Sequence, residues 1–161
     1  MEEILKNLCS SPDMLALLID EIPAGRLYRR YKNADWCIHD HLKHLLETQD
    51  IFTQRIELFR DNESPEIPAF FPGASDNKED ETQEAKDVPA LLDEFKTIRT
   101  KQIELIRNLS GEVSQRQAVH SEHSVPLSFK RLLLHFLSHD YYHIYRIEEL
   151  GTFKEENIKA W

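Results

Sequence analysis

The sequence predicts an all-α protein folded as a four-helix bundle. Three observations point there: the chain has only four glycines in 161 residues, it shows almost no β-branched alternation, and apolar residues recur at spacings of three and four in four separate stretches. Four segments that each carry one apolar face bury those faces most economically against one another. At 161 residues and 19.0 kDa the chain is expected to be a single domain over residues 1–161, long enough to bury roughly 70% of the surface its unfolded form exposes.

The first helix is expected from Pro12 to about Ile22, with Ser11 as its cap and Pro12 at its first helical position, where a missing N–H costs least. Leu15, Leu18, Ile19 and Ile22 face inward, and Glu2 to Leu8 form a short preceding helical turn. The second helix spans about Cys37 to Arg60, with Ile38, Leu42, Leu45, Phe52, Ile56 and Phe59 on one seam and Gln49 inside it. Between about 61 and 86, Pro65, Pro68 and Pro72 with Gly73 and many acids leave no periodic pattern, so this is a long loop. Loops of that length are functional lids or simply mobile, and both readings stay open.

The third helix starts near Asp87 with Pro89 in its first turn, carries Leu91, Phe95, Ile98, Leu105 and Leu109 on one face, and has Gly111 as its stop. The fourth runs from about Ser128 to Leu150, ended by Gly151, with Phe129, Leu132, Phe136, Ile147 and Leu150 along its apolar stripe. No internal repeat or low-complexity tract interrupts this plan.

Composition narrows the class of function. The 29 acidic residues against 20 basic ones give a formal charge of -9, which opposes contact with a polyanion, so no nucleic-acid partner is expected. The one dense basic stretch, Arg26 to Lys32 with Tyr28 and Tyr31 between its cations, reads as a solvated loop or helix end ahead of a phosphate-contacting patch. No apolar run is long enough to span a bilayer, and Met1-Glu-Glu-Ile-Leu-Lys-Asn lacks a basic segment followed by an apolar core. A soluble cytoplasmic protein with no membrane partner is the expectation. Cys9 and Cys37 have no Cys-x-x-Cys spacing, and a disulfide framework is not expected.

Chemistry is concentrated in the histidines. Leu133-Leu-His-Phe-Leu-Ser-His-Asp-Tyr-Tyr-His-Ile places His135, His139 and His143 at spacings of four, which stack on successive helical turns. With 8 histidines in 161 residues, composition alone yields about 0.4 His-x-x-x-His pairs but only about 0.02 overlapping triples. His139 and His143 continue the apolar stripe of Leu132, Phe136, Ile147 and Leu150, whereas His135 lies about 40° off that line. The first two are therefore the better candidates for metal ligands.

A third ligand has to come from another element. His44, beside Leu45 at the edge of the second helix's seam, is the candidate; His41 lies one turn earlier and His39 points away. Glu47 could bond a ring nitrogen, bind the ion or face water. His120 and His123, in Val119-His-Ser-Glu-His-Ser, line the mouth of such a site or are plain loop residues. Three neutral histidines with open positions suit zinc, nickel or ferrous iron and leave room for a water or substrate. Core histidines paired with carbonyls or carboxylates are the alternative to any metal.

His139-Asp-Tyr-Tyr-His143 also looks like a His-Glu-x-x-His zinc-peptidase helix with Asp in place of Glu, but the shorter acid weakens the general-base role. No Gly-rich phosphate loop, Gly-x-Ser-x-Gly elbow or Cys-x-x-Cys pair occurs, so nucleotide, serine-hydrolase and thioredoxin readings lack support.

These residues resemble the DinB/YfiT-like family. Trp36-Cys-Ile-His-Asp-His-Leu-Lys-His44-Leu is similar to that family's Trp-Ser-x-x-Glu-x-x-x-His-Leu segment, and His139-Asp-Tyr-Tyr-His143-Ile to its His-Asp-x-x-His-x-x-Gln-Ile segment. Leu91-Leu-Asp-Glu-Phe with Arg99 resembles its linking helix less specifically. The resemblance implies a DinB-like four-helix bundle with His44, His139 and His143 as ligands of a divalent transition metal. Asp40 stands where Glu is frequent, and Arg146 where Gln is frequent. The resemblance also implies a metal-dependent enzyme that activates a low-molecular-weight thiol for transfer to a small electrophile, with metal-dependent hydrolysis as the alternative and a non-enzymatic metal-binding or stress-related module as a third. A small-molecule substrate and a homodimer are expected on the same ground.

Overall fold

The computed structural model describes residues 1–68, 86–121 and 125–160. Four long helices carry it: α1 (Glu2–Asp20), α3 (Ile38–Asp61), α4 (Val88–Arg107) and α5 (Phe129–Thr152), with α2 (Ala24–Leu27) as a single turn between the first two. Each long helix packs on two others, in the cyclic order α1, α4, α3, α5. This is the expected four-helix bundle.

Cross-helix contacts fix the directions. Ser11 meets Asp140 and Ile22 meets Gly151, so α1 and α5 run parallel. Phe59 packs on Phe129, Phe52 on Phe136 and His41 on His143, so α3 and α5 are antiparallel. His39 reaches Lys86 and Gln49 reaches Arg99, which makes α3 and α4 parallel neighbours. A chain leaving α3, 24 residues long, must therefore travel back roughly 36 Å before α4 can begin, at about 1.5 Å of helix rise per residue. That requirement gives the long predicted loop over 61–86 a topological reason, although its residues 69–85 lie outside the described part.

Helix starts follow local chemistry. Cys37 precedes α3, and its N–H donates to Asp40 Oδ2 at 2.9 Å; the Asp87 carboxylate accepts from the Ala90 N–H at 3.0 Å, and Ser128 Oγ accepts from the Arg131 N–H at 3.2 Å. The first helix differs from expectation. It is continuous from Glu2, with Pro12 inside it. Proline has no N–H to offer the Leu8 carbonyl; the one Ser11 hydroxyl proton is shared between that carbonyl at 3.1 Å and Asp140 Oδ2 at 2.7 Å, while Arg99 Nη1 approaches the carbonyl at 3.5 Å. Ser11 is thus a buried substitute for a lost backbone bond, not a cap.

Gly151 is likewise not a stop. It lies inside α5, where an added Cβ would sit 2.3 Å from Ile22 Cδ1, so glycine is needed for the close approach of the α1 end to α5. The helix α4 ends at Arg107 with Asn108 as its C-cap, before Gly111 is reached. Three short strands had no counterpart in the sequence pattern: β1 (Glu66–Ile67) pairs in parallel with β2 (Gln117–His120), which pairs antiparallel with β3 (Leu127–Ser128). Runs of two to four residues are too short for alternation to register.

The interior is divided lengthwise. One apolar cluster holds Leu8, Phe52, Phe59, Phe129 and Phe136; the other holds Leu15, Leu42, Leu45, Phe95, Ile147 and Leu150. Between them lies a polar layer with Ser11, Gln49, Arg99, Asp140 and the histidines of α3 and α5. Among the described residues no helix is long and apolar enough to cross a membrane.

Candidate metal centre

On the α3–α5 side of that layer four imidazoles converge. His139 and His143 project from successive turns of α5, and His41 and His44 from neighbouring positions on the antiparallel α3. His44 Nε2 lies 3.2 Å from His139 Nε2, and His41 Nδ1 lies 2.8 Å from His143 Nδ1. His44, His139 and His143 each offer a ligand atom, and these atoms all lie within 4.8 Å of one another. The structure thus brings together the three residues selected by spacing.

The donor set fits a divalent ion. Two nitrogens bound at about 2.0–2.1 Å to one tetrahedral ion are about 3.3–3.4 Å apart, close to the 3.2 Å between His44 and His139. Burial, reinforced by the neighbouring imidazoles, pushes His143 down to about 2 and His139 to about 3, and burial also lowers His44. These rings are therefore neutral across the physiological range, the form that binds metal. His139 Nδ1 is buried without a hydrogen-bond partner, while its Nε2 faces His44.

Aromatic rings surround the cluster. Trp36 lies 4.9 Å from the His44 ring, 5.1 Å from His41 and stacked 6.0 Å from His143, while Tyr142 meets His143 edge-on at 5.0 Å. Trp36 and Tyr142 are 37% and 46% exposed, so they form an outer rim with solvent beyond it. Phe52 closes the inner side at 5.4 Å from His139.

Other candidates lie elsewhere. His135 is exposed on α5 and is not one of the convergent ligands. His120 is buried in β2 and also stands outside that group; His123 lies outside the described residues. His39 Nε2 is 2.8 Å from the Lys86 carbonyl. Glu47 is exposed and 3.7 Å from Lys43, so of its three possible roles it takes the solvent-facing one. Asp40 belongs to the start of α3 and also pairs with Arg30 at 2.9 Å. Arg146 is buried against Glu149 and the Lys159 carbonyl. The basic stretch is tied down within the fold: Arg26 donates to the Phe153 carbonyl at 2.9 Å, Arg29 pairs with Glu155 at 2.8 Å, and Tyr31 is buried.

Sequence reasoning passed over His41, set aside as merely one turn before His44. Its signal was available: it stands four residues before Leu45 and eight before Gln49, on the same inward stripe.

The model of the DinB superfamily matches residues 8–147. A solved structure, YfiT from Bacillus subtilis, described as a probable metal-dependent hydrolase with an unusual four-helix bundle topology, superposes with a TM-score of 0.72 at 20% identity, covering 92% of this chain and 84% of that one. At that identity the likeness is one of fold. No curated protein matches the chain.

Proposed function

The chain belongs to the DinB superfamily, and on that premise we propose that it is a metal-dependent enzyme that activates a low-molecular-weight thiol for transfer to a small electrophile. The convergence of His44, His139 and His143 within 4.8 Å carries the proposal. A divalent ion there, zinc, nickel or ferrous iron, would supply Lewis acidity that lowers the pKa of a thiol or water brought to it. The three imidazoles would hold the ion, and the Trp36 and Tyr142 rings beside them would flank the reacting sulfur.

The choice of thiol over water rests on the carboxylates. Hydrolysis at such a centre is ordinarily helped by an acid that moves the water proton. Among the described residues, Asp140 is held by Arg99 and Ser11, Asp40 is used by the start of α3, and Glu47 is exposed beside Lys43. A thiol, with an ordinary pKa near about 8.5, needs far less help than water at about 15.7. Cys37 does not supply it, because its thiol is buried and burial raises its pKa. Cys9, the other cysteine, is exposed on α1 near Lys96 of α4 and not among the convergent residues of α3 and α5, so on this reading the thiol comes from solution. With an epoxide as acceptor, the S–H bond breaks, an S–C bond forms, one ring C–O bond opens, and the thiol proton ends on the freed oxygen.

Hydrolysis is the second reading, favoured by the description of YfiT. The two part in one assay: metal-loaded protein should consume a monohalobimane or epoxide only when a cellular thiol is supplied. Thiol-independent cleavage of an ester or amide would instead establish the hydrolase, and tight metal binding with neither activity would establish a binding module.

A further inference from the structure

We infer that His41 is a positioning residue for His143, accepting a hydrogen bond from its Nδ1–H and so directing its Nε2 at the metal. The inference rests on the metal reading above and adds a fourth histidine to it. The two Nδ1 atoms lie 2.8 Å apart, a separation that requires one proton between them. A pair of neutral rings then has two arrangements, with either one donating.

Coordination decides between them. His143 has its Nδ1 taken up by His41, which leaves Nε2 for the cluster. A metal held at Nε2 would leave no proton on that nitrogen, so Nδ1 would carry it and His41 would accept. The proton of His41 then resides on its own Nε2. The contrast with His139 supports this role, because His139 Nδ1 is buried without any partner. Of the two α5 ligands, His143 has its Nδ1 hydrogen-bonded by a neighbouring helix, whereas the His139 ring meets Phe52 edge-on.

His41 is well placed to hold it. It is 4% exposed, and the Trp36 ring meets it edge-on at 5.1 Å. Because His41 and His44 share one turn of α3, the register of α3 against α5 sets a ligand and its neighbour's support together.

Three proteins test this: the full chain as wild type, His41→Asn and His41→Leu. Asparagine places a carbonyl oxygen near the position of Nδ1, and leucine has a similar shape without an acceptor. Competition titration with zinc should show affinity reduced about 10–100-fold in His41→Leu and largely restored in His41→Asn. Equal binding by wild type and the leucine variant, or equal loss in both variants, overturns the role of His41 alone. A wild-type protein that takes up no zinc overturns the metal reading. A second readout needs no variant: imidazole ¹⁵N spectra of the zinc-loaded protein should show His143 protonated at Nδ1 and His41 at Nε2, and the reverse pattern contradicts the assignment.

Discussion

The polar layer of this bundle has two halves, one saturated and one not. On the α1–α4 side, Arg99 donates to Asp140 at 2.7 and 3.2 Å, to Gln49 Oε1 at 2.9 Å and to Gln102 Oε1 at 3.0 Å, while Ser11 Oγ donates to Asp140 at 2.7 Å. Gln102 Nε2 closes the network on the Gln49 carbonyl at 2.9 Å. On the α3–α5 side, by contrast, the neutral imidazoles of His44 and His139 face one another and His139 Nδ1 has no partner. Consecutive residues of α5, His139 and Asp140, serve the two halves. A buried polar set whose valences are all met fixes the register of helices. One with nitrogens aimed at a common point has a place for a ligand.

Breaking the saturated half should have the largest effect. Arg99 and Asp140 are almost fully buried, so Arg99→Leu leaves a carboxylate without its countercharge, at a cost of roughly 3–5 kcal/mol. Thermal unfolding followed by circular dichroism should show a fall of roughly 10 °C or more. A variant as stable as wild type would mean that the network is not what joins the helices here.

Acid should sharpen the contrast from the other half. His41, His139 and His143 are pushed by burial to about 4, 3 and 2 from the ordinary 6.5. Below pH 6.5 the unfolded chain binds protons at these positions and the folded chain does not. Stability of the metal-free protein is therefore full above that value and falls as pH drops toward 4, by up to about 1.4 kcal/mol per pH unit for each histidine. Melting temperatures measured from pH 7 to 4 check this, and His143→Leu should flatten the slope. A slope unchanged by that substitution would mean that His143 is not buried neutral.

Much of this was legible in the sequence, and what was hidden has physical causes. The apolar period of three and four marked all four long helices and placed three of their starts, near Cys37, Asp87 and Ser128, within a residue, whereas the one cap assigned from sequence, Ser11, lies inside α1. Pro12 misled because proline is tolerated at a helix start, whereas here Ser11 and Arg99 satisfy the carbonyl it orphans. That compensation comes partly from α4, far away in the chain. Gly151 misled for a similar reason, since its lack of a side chain answers to Ile22. His44, His139 and His143 were legible because their faces follow from spacing alone. The pairing of His41 with His143 was not, because it depends on the register between two helices. Arg99 had only a place in a resemblance until the bundle showed which four helices it joins.

The contrast between the two halves comes down to metal content. Wild-type protein loaded with zinc, dialysed and subjected to elemental analysis should retain one ion per chain, and His44→Ala, His139→Ala and His143→Ala should each lose it, while Glu47→Ala, altering an exposed carboxylate on the same helix, should keep it. Unchanged metal content in all three histidine variants, or none in the wild type, would contradict the assignment of this cluster as a metal centre.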